Sequence, residues 1–283
     1  MGETVFEIKD VKKIYKVPGG NDVRALDGVS LTVKKNEFIC VVGPSGCGKT
    51  TMLNIVAGLE PYDAGSVTIH GQPVIGPGPD RAVVFQQYAL YPWMTVQKNV
   101  EFALKFRTHD KIVEKKDPRT GEIVKETRQV KYTKQERQEM ARHYIEMVNL
   151  TGFEDSYPSG LSGGMKQRVA LARGYATASD VLLMDEPFGA LDAQTRAQLQ
   201  EDLLKSWAKE KKTCLFITHD VEEAVLLATK VVIMSARPGR IKAMIDIDLP
   251  YPRNQATKMD EKFIAYKNMI WESVYKDYLA VQK

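Results

Sequence analysis

Short apolar runs dominate the first part of the chain. Residues 5–42 contain several such runs separated by turn residues, and the segments 66–70 and 82–85 repeat the pattern. Runs of this length bounded by turn residues are typical of β-strands. We therefore predict an antiparallel β flank at the N-terminus that leads into a central sheet.

From residue 88 to residue 160 the apolar positions recur at helical spacing instead, most clearly over 96–106 and 134–148. Residues 162–234 then alternate helical and strand patterns, the order of elements that produces a parallel sheet. The whole pattern predicts an α/β fold, in which a parallel sheet carries the N-terminal antiparallel β flank and an inserted α-helical subdomain at 88–160.

The last part of the chain changes character again. The segment 239–248 predicts a terminal pair of strands, and Pro250 and Pro252 separate it from the C-terminal residues. Beyond these prolines, large apolar residues recur at the spacing of one helix face, namely Phe263, Tyr266, Ile270, Val274 and Tyr278. We predict one or two amphipathic helices in this C-terminal extension.

A charged stretch, residues 111–131, interrupts the helical region. Two polar arms that favour strands flank a turn-like segment, 117–121, which reads Asp-Pro-Arg-Thr-Gly. The pattern fits a small hairpin or a disordered loop. A tolerated surface insertion is one interpretation, because polar insertions on loops cost little, and a contact with a partner subunit is the other.

A glycine-rich segment between a strand and a helix carries the first chemistry. It follows the apolar run 38–42, and its residues are Gly43, Pro44, Ser45, Gly46, Cys47, Gly48, Lys49, Thr50 and Thr51. Such a loop turns backbone N–H groups toward a phosphate, and the next helix directs its positive end at the same anion. Lys49 is expected to reach the β- and γ-phosphates, and the Thr50 hydroxyl to bind Mg²⁺. The sequence therefore predicts binding of a nucleoside triphosphate.

The composition of the chain indicates the size of its core and the compartment in which it works. Of 283 residues, 43% are hydrophobic, which suffices for one large core with a smaller lobe. No apolar run approaches the roughly 18 residues of a membrane-spanning helix. The cysteines, Cys40, Cys47 and Cys214, lack metal-type spacing and predict a reducing compartment without disulfides. The net charge of +4 arises from many charges of both signs and predicts no nucleic-acid surface.

Six more segments accompany the phosphate loop. Residues 161–168 read Leu-Ser-Gly-Gly-Met-Lys-Gln-Arg, and residues 181–187 read Val-Leu-Leu-Met-Asp-Glu-Pro. The others are Tyr15 upstream of the loop, Gln86 at the end of an apolar run, Gly-Ala-Leu-Asp at 189–192, and His219 after a strand. In this order and at these distances, the motifs resemble those of the ATP-binding subunits of ABC transporters over nearly the whole chain.

The resemblance implies an ATPase with a P-loop, RecA-like parallel sheet over residues 1–250 and a C-terminal helical extension over 251–283. ATP and Mg²⁺ are its implied ligands, and a second ATP-binding subunit, most simply an identical copy, completes the ATP site. Two transmembrane permease subunits are the implied partners, with an extracytoplasmic solute-binding protein acting through them. The implied place is the cytoplasmic face of the inner membrane, where the subunit is peripheral.

The resemblance also assigns roles around the γ-phosphate. Asp185 ends a buried strand and is expected, with Gln86 and Thr50, at the Mg²⁺ ion. Glu186 is the implied catalytic carboxylate that polarises the attacking water. His219 is the implied contact to the γ-phosphate that also steadies Glu186, although a lone histidine is more often structural.

The resemblance also implies a second set of residues that reach the ATP bound by the other copy. These residues are Ser162, Gly163, Gly164, Gln167 and Asp192. Ser162 is a suitable N-cap for a helix that continues to residue 176, and the two glycines leave N–H groups free at that helix end. A helix end of this kind binds anions, whereas an ordinary capped helix would explain the serine but not the glycines.

Two aromatic assignments stay open. By resemblance the Tyr15 ring stacks on adenine, a contact worth about 1–3 kcal/mol, but an aromatic residue in an N-terminal strand often belongs to the core. The segment 86–93 carries Tyr88, Tyr91 and Trp93 and is expected to face the permease subunits. The alternative for Trp93 is a place in the core of the helical subdomain.

Three segments, 89–96, 234–240 and 249–253, are similar to the nitrate, sulfonate and taurine importer group, which implies a small anion as solute. A lipid exporter subunit is the closest alternative within the family. A soluble ABC ATPase would need a long coiled coil or a duplicated cassette. A P-loop kinase or GTPase would leave 161–167 and His219 without a role.

Overall fold

The computed structural model describes residues 2–116, 119 and 123–281. The strands described are β1 (Thr4–Tyr15), β2 (Val23–Lys34), β3 (Phe38–Val42), β4 (Ala64–Ile69), β5 (Gln72–Pro73), β6 (Arg81–Val84), β7 (Thr108–Lys116), β8 (Ile123–Lys131), β9 (Val181–Asp185), β10 (Thr213–Ile217), β11 (Lys230–Met234) and β12 (Ile241–Asp246). The α-helices described are α1 (Lys49–Ala57), α2 (Val96–Leu104), α3 (Lys134–Met147), α4 (Gly163–Ala176), α5 (Ala193–Glu210), α6 (Val221–Leu227) and α7 (Glu261–Val281). Short 3₁₀ helices span Pro158–Gly160 and Gln255–Met259.

The chain divides into two compact units. One holds the residues up to Ala89 together with those from Ser179 onward, and the other holds Leu90–Ala178. The second unit thus extends past residue 160, the predicted end of the helical subdomain. It does so because α4 packs against α2 and α3.

The central sheet of the first unit has the strand order β12-β11-β3-β10-β9-β6. Neighbouring strands are parallel except β11 and β12. Every residue of β3 and β10 is buried, as expected of parallel strands covered on both faces. The sheet β2-β1-β4-β5 is antiparallel and packs its apolar side chains into the same core as β3 and α1. The predicted α/β fold with an antiparallel flank is confirmed.

Threonine caps begin two helices of the second unit. The Thr95 hydroxyl accepts from the Lys98 N–H at the start of α2. Thr133 and Glu136 form a capping box at the start of α3, in which each side chain accepts from the other residue's backbone. The helices predicted at 96–106 and 134–148 are therefore present, with starts set by these caps.

The charged stretch forms a hairpin. Strands β7 and β8 pair antiparallel from Thr108 opposite Lys131 to Lys116 opposite Ile123. They form a sheet with each other. The hairpin interpretation is correct and the disordered loop is not, while the predicted turn at 117–121 lies outside the described residues apart from Arg119.

The C-terminal segment belongs to the first unit, where α7 packs against α6 and β11. Phe263 and Ile270 are fully buried, which confirms the amphipathic helix. Lys242 on β12 forms an ion pair with Asp277, with Nζ and Oδ1 2.8 Å apart. The predicted strand pair at 239–248 is wrong, because this segment supplies only β12, whose partner is the upstream strand β11. Among the described residues, no helix has the length and hydropathy that crossing a bilayer requires.

Candidate nucleotide-binding and hydrolysis site

The phosphate loop joins β3 to α1 as predicted. Gly48 precedes the first residue of α1 in a left-handed conformation, with φ 94°, and no described side chain caps the helix. A Cβ at this position would lie 2.7 Å from Leu26 Cδ2 and 2.8 Å from the Ala25 carbonyl oxygen. Only glycine fits this turn. The start of α1 is therefore suited to an anion rather than to a capping side chain.

Lys49 is held inside the loop. Its ammonium donates to the carbonyl oxygens of Gly43 at 2.8 Å and of Pro44 at 3.0 Å, and the residue is buried. Phosphate oxygens are stronger acceptors than carbonyls because they carry charge. Cys47 is buried beside it, and burial raises the pKa of its thiol, which keeps the sulfur neutral next to the cation.

Thr50 and Asp185 meet between α1 and the end of β9. The Thr50 hydroxyl donates to Asp185 Oδ1 at 3.1 Å. Burial raises the pKa of the Asp185 carboxyl, against the lowering effect of this hydrogen bond. A hydroxyl and a carboxylate are the oxygen donors that Mg²⁺ prefers, and this ion commonly takes only one or two protein ligands.

Glu186 and His219 form the next contact. His219 Nδ1 lies 3.0 Å from Glu186 Oε2, because β9 and β10 are neighbours in the sheet and each residue follows the end of its strand. Glu186 has a φ of 42°, a left-handed conformation that costs roughly 1–3 kcal/mol in a residue other than glycine. A Cβ at Gly189 would lie 3.6 Å from both Glu186 Oε2 and Gln86 Nε2, so these two side chains approach the same glycine.

A cavity of about 410 Å³ opens beside the loop. Its lining residues are Tyr15, Val23, Ala25, Ser45, Gly46, Gly48, Lys49, Thr50, Thr51, Glu186 and Arg237. Most were predicted from the motifs. Val23, Ala25 and Arg237 were not, because they stand outside the phosphate-binding pattern and reach the cavity only through the tertiary fold.

Tyr15 lies at the rim of this cavity rather than in the core. Its side chain is 37% exposed, and its hydroxyl is 3.5 Å from the Thr51 hydroxyl, at the limit of a hydrogen bond. Lys13 Nζ lies 5.0 Å from the centre of the ring. The core alternative for Tyr15 is therefore wrong.

The segment 161–168 lies in the second unit. Ser162 is the N-cap of α4, and its hydroxyl accepts from the Met165 N–H at 3.3 Å, as predicted. Gln167 is 0% exposed, and among the described residues neither polar atom of its side chain has a hydrogen-bond partner. This burial is at odds with a direct contact of the Gln167 side chain with a nucleotide on another copy.

Asp192 is the N-cap of α5 and is exposed. Its carboxylate accepts from the N–H groups of Gln194 at 3.1 Å and Thr195 at 3.0 Å. The hydrogen bond from the Thr195 N–H is the largest influence on this carboxyl and lowers its pKa. Asp192 is therefore anionic at neutral pH, and its predicted role toward a second copy stays a prediction.

Residues 26–189 match the ABC transporter family. The chain belongs to this family. It is 42% identical over 271 residues to a nitrate import ATP-binding protein of Synechocystis sp., covering 94% of this chain and 93% of that protein. It is 49% identical over 265 residues to an ABC transporter ATP-binding protein of Methanocaldococcus jannaschii, covering 94% and 89%. A bicarbonate transport ATP-binding protein of Synechococcus elongatus is 43% identical over 249 residues, 88% of this chain and 34% of that longer protein.

Solved structures of ATP-binding cassettes are similar to this chain. A dimeric ATP-binding cassette in a post-hydrolysis state, bound to ADP and Pi, is 29% identical with a TM-score of 0.70, covering 87% of this chain and 100% of that chain. A dimeric structure of a bacterial ABC transporter cassette is 30% identical with the same score and coverage. The protein is thus an ATP-binding cassette and an ATPase.

The ABC ATPase gathers groups that suit phosphoryl transfer to water at the carboxyl ends of β3, β9 and β10. The cation is Lys49 on the loop, and the Thr50 hydroxyl pairs with the Asp185 carboxylate at the end of β9. A second carboxylate, that of Glu186, contacts His219 after β10. Loops at this edge of a parallel sheet are where ligands bind in α/β folds. These groups therefore lie at the edge of the sheet where a ligand is expected.

Proposed function

We propose that this ABC ATPase powers the import of a small anion of the nitrate, sulfonate or taurine type. The observation that carries the proposal is its 42% identity, over nearly the full length of both chains, to a nitrate import ATP-binding protein. A bicarbonate transport protein at 43% identity supports the same class of solute, since both named solutes are small oxyanions.

ATP is proposed to occupy the 410 Å³ cavity beside the phosphate loop. The phosphates would lie against residues 43–51, where Lys49 exchanges its carbonyl acceptors for charged phosphate oxygens. The adenine would lie toward Tyr15 and Val23 at the other end of the lining. The exposed Tyr15 ring supports this orientation, because an aromatic face is a sequence-tolerant platform for a base.

The residues at the end of β9 fit Mg²⁺. Thr50 and Asp185 present two oxygen atoms 3.1 Å apart, and we propose both as ligands, the second through water, with Gln86 completing the set. Bound there, the ion would neutralise charge on the β- and γ-phosphates. Because burial raises the pKa of Asp185, a cation beside it would favour its ionised form.

Glu186 is proposed as the general base. Glu186 lines the cavity, and its carboxylate would accept a hydrogen bond from water placed in line with the γ-phosphate. His219 fixes the orientation of that carboxylate through the 3.0 Å contact and is proposed to reach the γ-phosphate as well. The strained backbone of Glu186 supports a functional role, because such conformations cluster at active sites.

Two copies are proposed to share the ATP. Ser162, Gly163 and Gly164 at the start of α4 would bind the γ-phosphate of the other copy, and Asp192 would lie at the same interface. The dimeric cassettes among the solved relatives support a sandwich of this kind. In this dimer, the two copies would close on each other only when ATP is bound, and hydrolysis would let them separate.

The segment 86–93 is proposed as the contact with two permease subunits at the cytoplasmic face of the membrane. Trp93 is 70% exposed, and its ring lies beside that of Tyr91, with ring centres 5.7 Å apart and planes tilted by 49°. A core position for Trp93 is therefore wrong. Exposed aromatic side chains in a cluster are common in protein interfaces, which supports docking here.

The test is a reconstituted complex with the permease subunits that copurify with the protein. ATP hydrolysis would be measured in lipid nanodiscs with a solute-binding protein loaded with nitrate, taurine or bicarbonate, and with the unloaded binding protein as control. Stimulation by one loaded form is expected. Stimulation by lipid alone, with no response to any loaded binding protein, would support the lipid exporter alternative and contradict the proposal.

A further inference from the structure

The turn between β11 and β12, residues 235–240, lies directly on the phosphate loop. Arg237 in this turn lines the 410 Å³ cavity, and its Nε donates to the Gly46 carbonyl oxygen at 3.3 Å. A Cβ at Gly46 would lie 2.7 Å from Arg237 Nη2. A guanidinium therefore rests against the middle of the loop, in the space where a side chain at position 46 would otherwise be.

Backbone contacts hold the turn in this place. The Gly239 N–H donates to the Ala25 carbonyl at 3.0 Å, and the Asp27 N–H donates to the Gly239 carbonyl at 3.0 Å. A Cβ at Gly239 would collide with the carbonyl oxygens of Cys47 and Ala25. The turn is thus wedged between β2 and the phosphate loop, and only glycine permits this approach.

The two arginines of the turn have different surroundings. Arg240 pairs with Asp27, which Arg24 also approaches at 3.6 Å, and the hydrogen bond from Arg240 lowers the pKa of the Asp27 carboxyl. Within the described part of the chain, no carboxylate lies at ion-pair distance from Arg237. Its charge is left for a ligand of the cavity.

We propose that Arg237 is a phosphate-binding residue of this ATP site, a deepening that rests on the proposed location of ATP. A guanidinium has five N–H donors, and the contact to Gly46 uses one of them. The remaining donors form a fork that suits two oxygens of a phosphate. Arg237 thereby ties the turn after β11 to the nucleotide and favours polyphosphates over uncharged nucleosides.

The test compares nucleotide affinity in substituted proteins. Arg237→Ala is expected to weaken binding of ATP and ADP about tenfold, the size of one lost charge-assisted contact. Arg24→Ala is the matched control, because it removes the same charge from β2, outside the cavity lining, and it is expected to change affinity by less than about twofold. Melting temperatures of all variants confirm that each one folds.

Two further substitutions separate charge from loop positioning. Arg237→Lys keeps the cation and is expected to recover part of the affinity, whereas Arg237→Gln keeps a donor for Gly46 without charge and is expected to bind as weakly as Arg237→Ala. Loss of this contact should also make affinity less sensitive to added salt, because a charged contact to the phosphates is removed. Recovery by glutamine, or an unchanged affinity in Arg237→Ala, would overturn the proposal.

Lys49→Ala shows whether a negative result refutes only the role of Arg237 or also the proposed location of ATP. If Lys49→Ala loses ATP while Arg237→Ala keeps it, the loop binds phosphate and only the role of Arg237 is refuted. If neither substitution weakens ATP binding, the proposed location of ATP is wrong and the role of Arg237 falls with it.

Discussion

In the unit that carries the phosphate loop, Lys49, Thr50, Asp185 and Glu186 are each held by neighbours of the same unit. In the unit Leu90–Ala178, two of the residues with a predicted role face solvent instead. Ser162 and Trp93 are exposed, and β7 and β8 pair with each other in a sheet of their own. The first unit presents an assembled site, whereas the second presents surfaces that gain a role only when something binds them.

This difference decides where a defect should become visible. A substitution in the assembled site should alter the isolated protein, because the affected contacts lie within one chain. A substitution on the exposed surfaces should leave the isolated protein intact and change only reactions that need a second copy or a membrane subunit. We therefore expect the largest effects on the isolated protein at the catalytic carboxylate and the smallest at the hairpin.

Glu186→Gln should abolish most hydrolysis while ATP still binds. The amide keeps the size of the side chain but cannot accept a proton from water, and a lost general base typically costs about 100-fold or more in rate. Steady-state phosphate release measures the loss, and size-exclusion chromatography with ATP should show a dimer that accumulates. Hydrolysis near the wild-type rate would remove Glu186 from the catalytic role.

Ser162→Arg should separate the two units. ATP affinity at low protein concentration is expected to stay nearly unchanged, because the phosphate loop belongs to the other unit, while hydrolysis at high concentration should be lost. Lys49→Ala is the matched contrast and should lose affinity at every concentration. If Ser162→Arg weakens binding in the dilute protein as much as Lys49→Ala does, Ser162 does not act on a second copy.

The sequence predicted those residues of the assembled site that come directly after a strand. The loop before α1, and Asp185, Glu186 and His219 after their strands, were placed correctly because a parallel sheet brings such ends together. Arg237 could not be found this way, since it contacts Gly46 across 191 residues of chain. The close packing of Gly239 between β2 and the phosphate loop holds the turn in place, and no local sequence pattern indicates this packing.

The second unit was harder to predict for the same physical reason. Position in a motif suggested a ligand contact for Gln167, but the packing of α4 buries its side chain, and packing is not visible in a spacing pattern. The composition of residues 111–131 fits a hairpin and a disordered loop equally well. Only the cross-strand pairing of β7 with β8 distinguishes the two. The helices at 96–106 and 134–148 were predicted from apolar spacing alone, and the structure adds the caps Thr95 and Thr133 that set their starts.

Trp93→Ala should leave the isolated protein nearly unchanged. Its ring is 70% exposed, whereas Trp207 is 3% exposed and donates to the Lys212 carbonyl at 2.8 Å. Trp207→Ala, the matched control, should destabilise the protein by about 3–5 kcal/mol, as large core truncations do. Thermal unfolding measures both. In the assembled transporter, Trp93→Ala should uncouple hydrolysis from transport, and full coupling would contradict the docking role.

The smallest effect is expected from shortening the hairpin. Ile112 lies opposite Thr127, so replacing residues 112–127 with a Gly/Ser turn keeps the paired ends at Lys111 and Arg128. Loop length changes stability by only about 0.6 kcal/mol per doubling, and these strands pair with each other, so folding and basal hydrolysis should survive. Thermal unfolding and phosphate release check this expectation, and copurification with the permease subunits then separates the two interpretations of the insertion. Retained assembly and transport would support a tolerated surface insertion, whereas lost assembly with normal hydrolysis would identify the hairpin as a docking element.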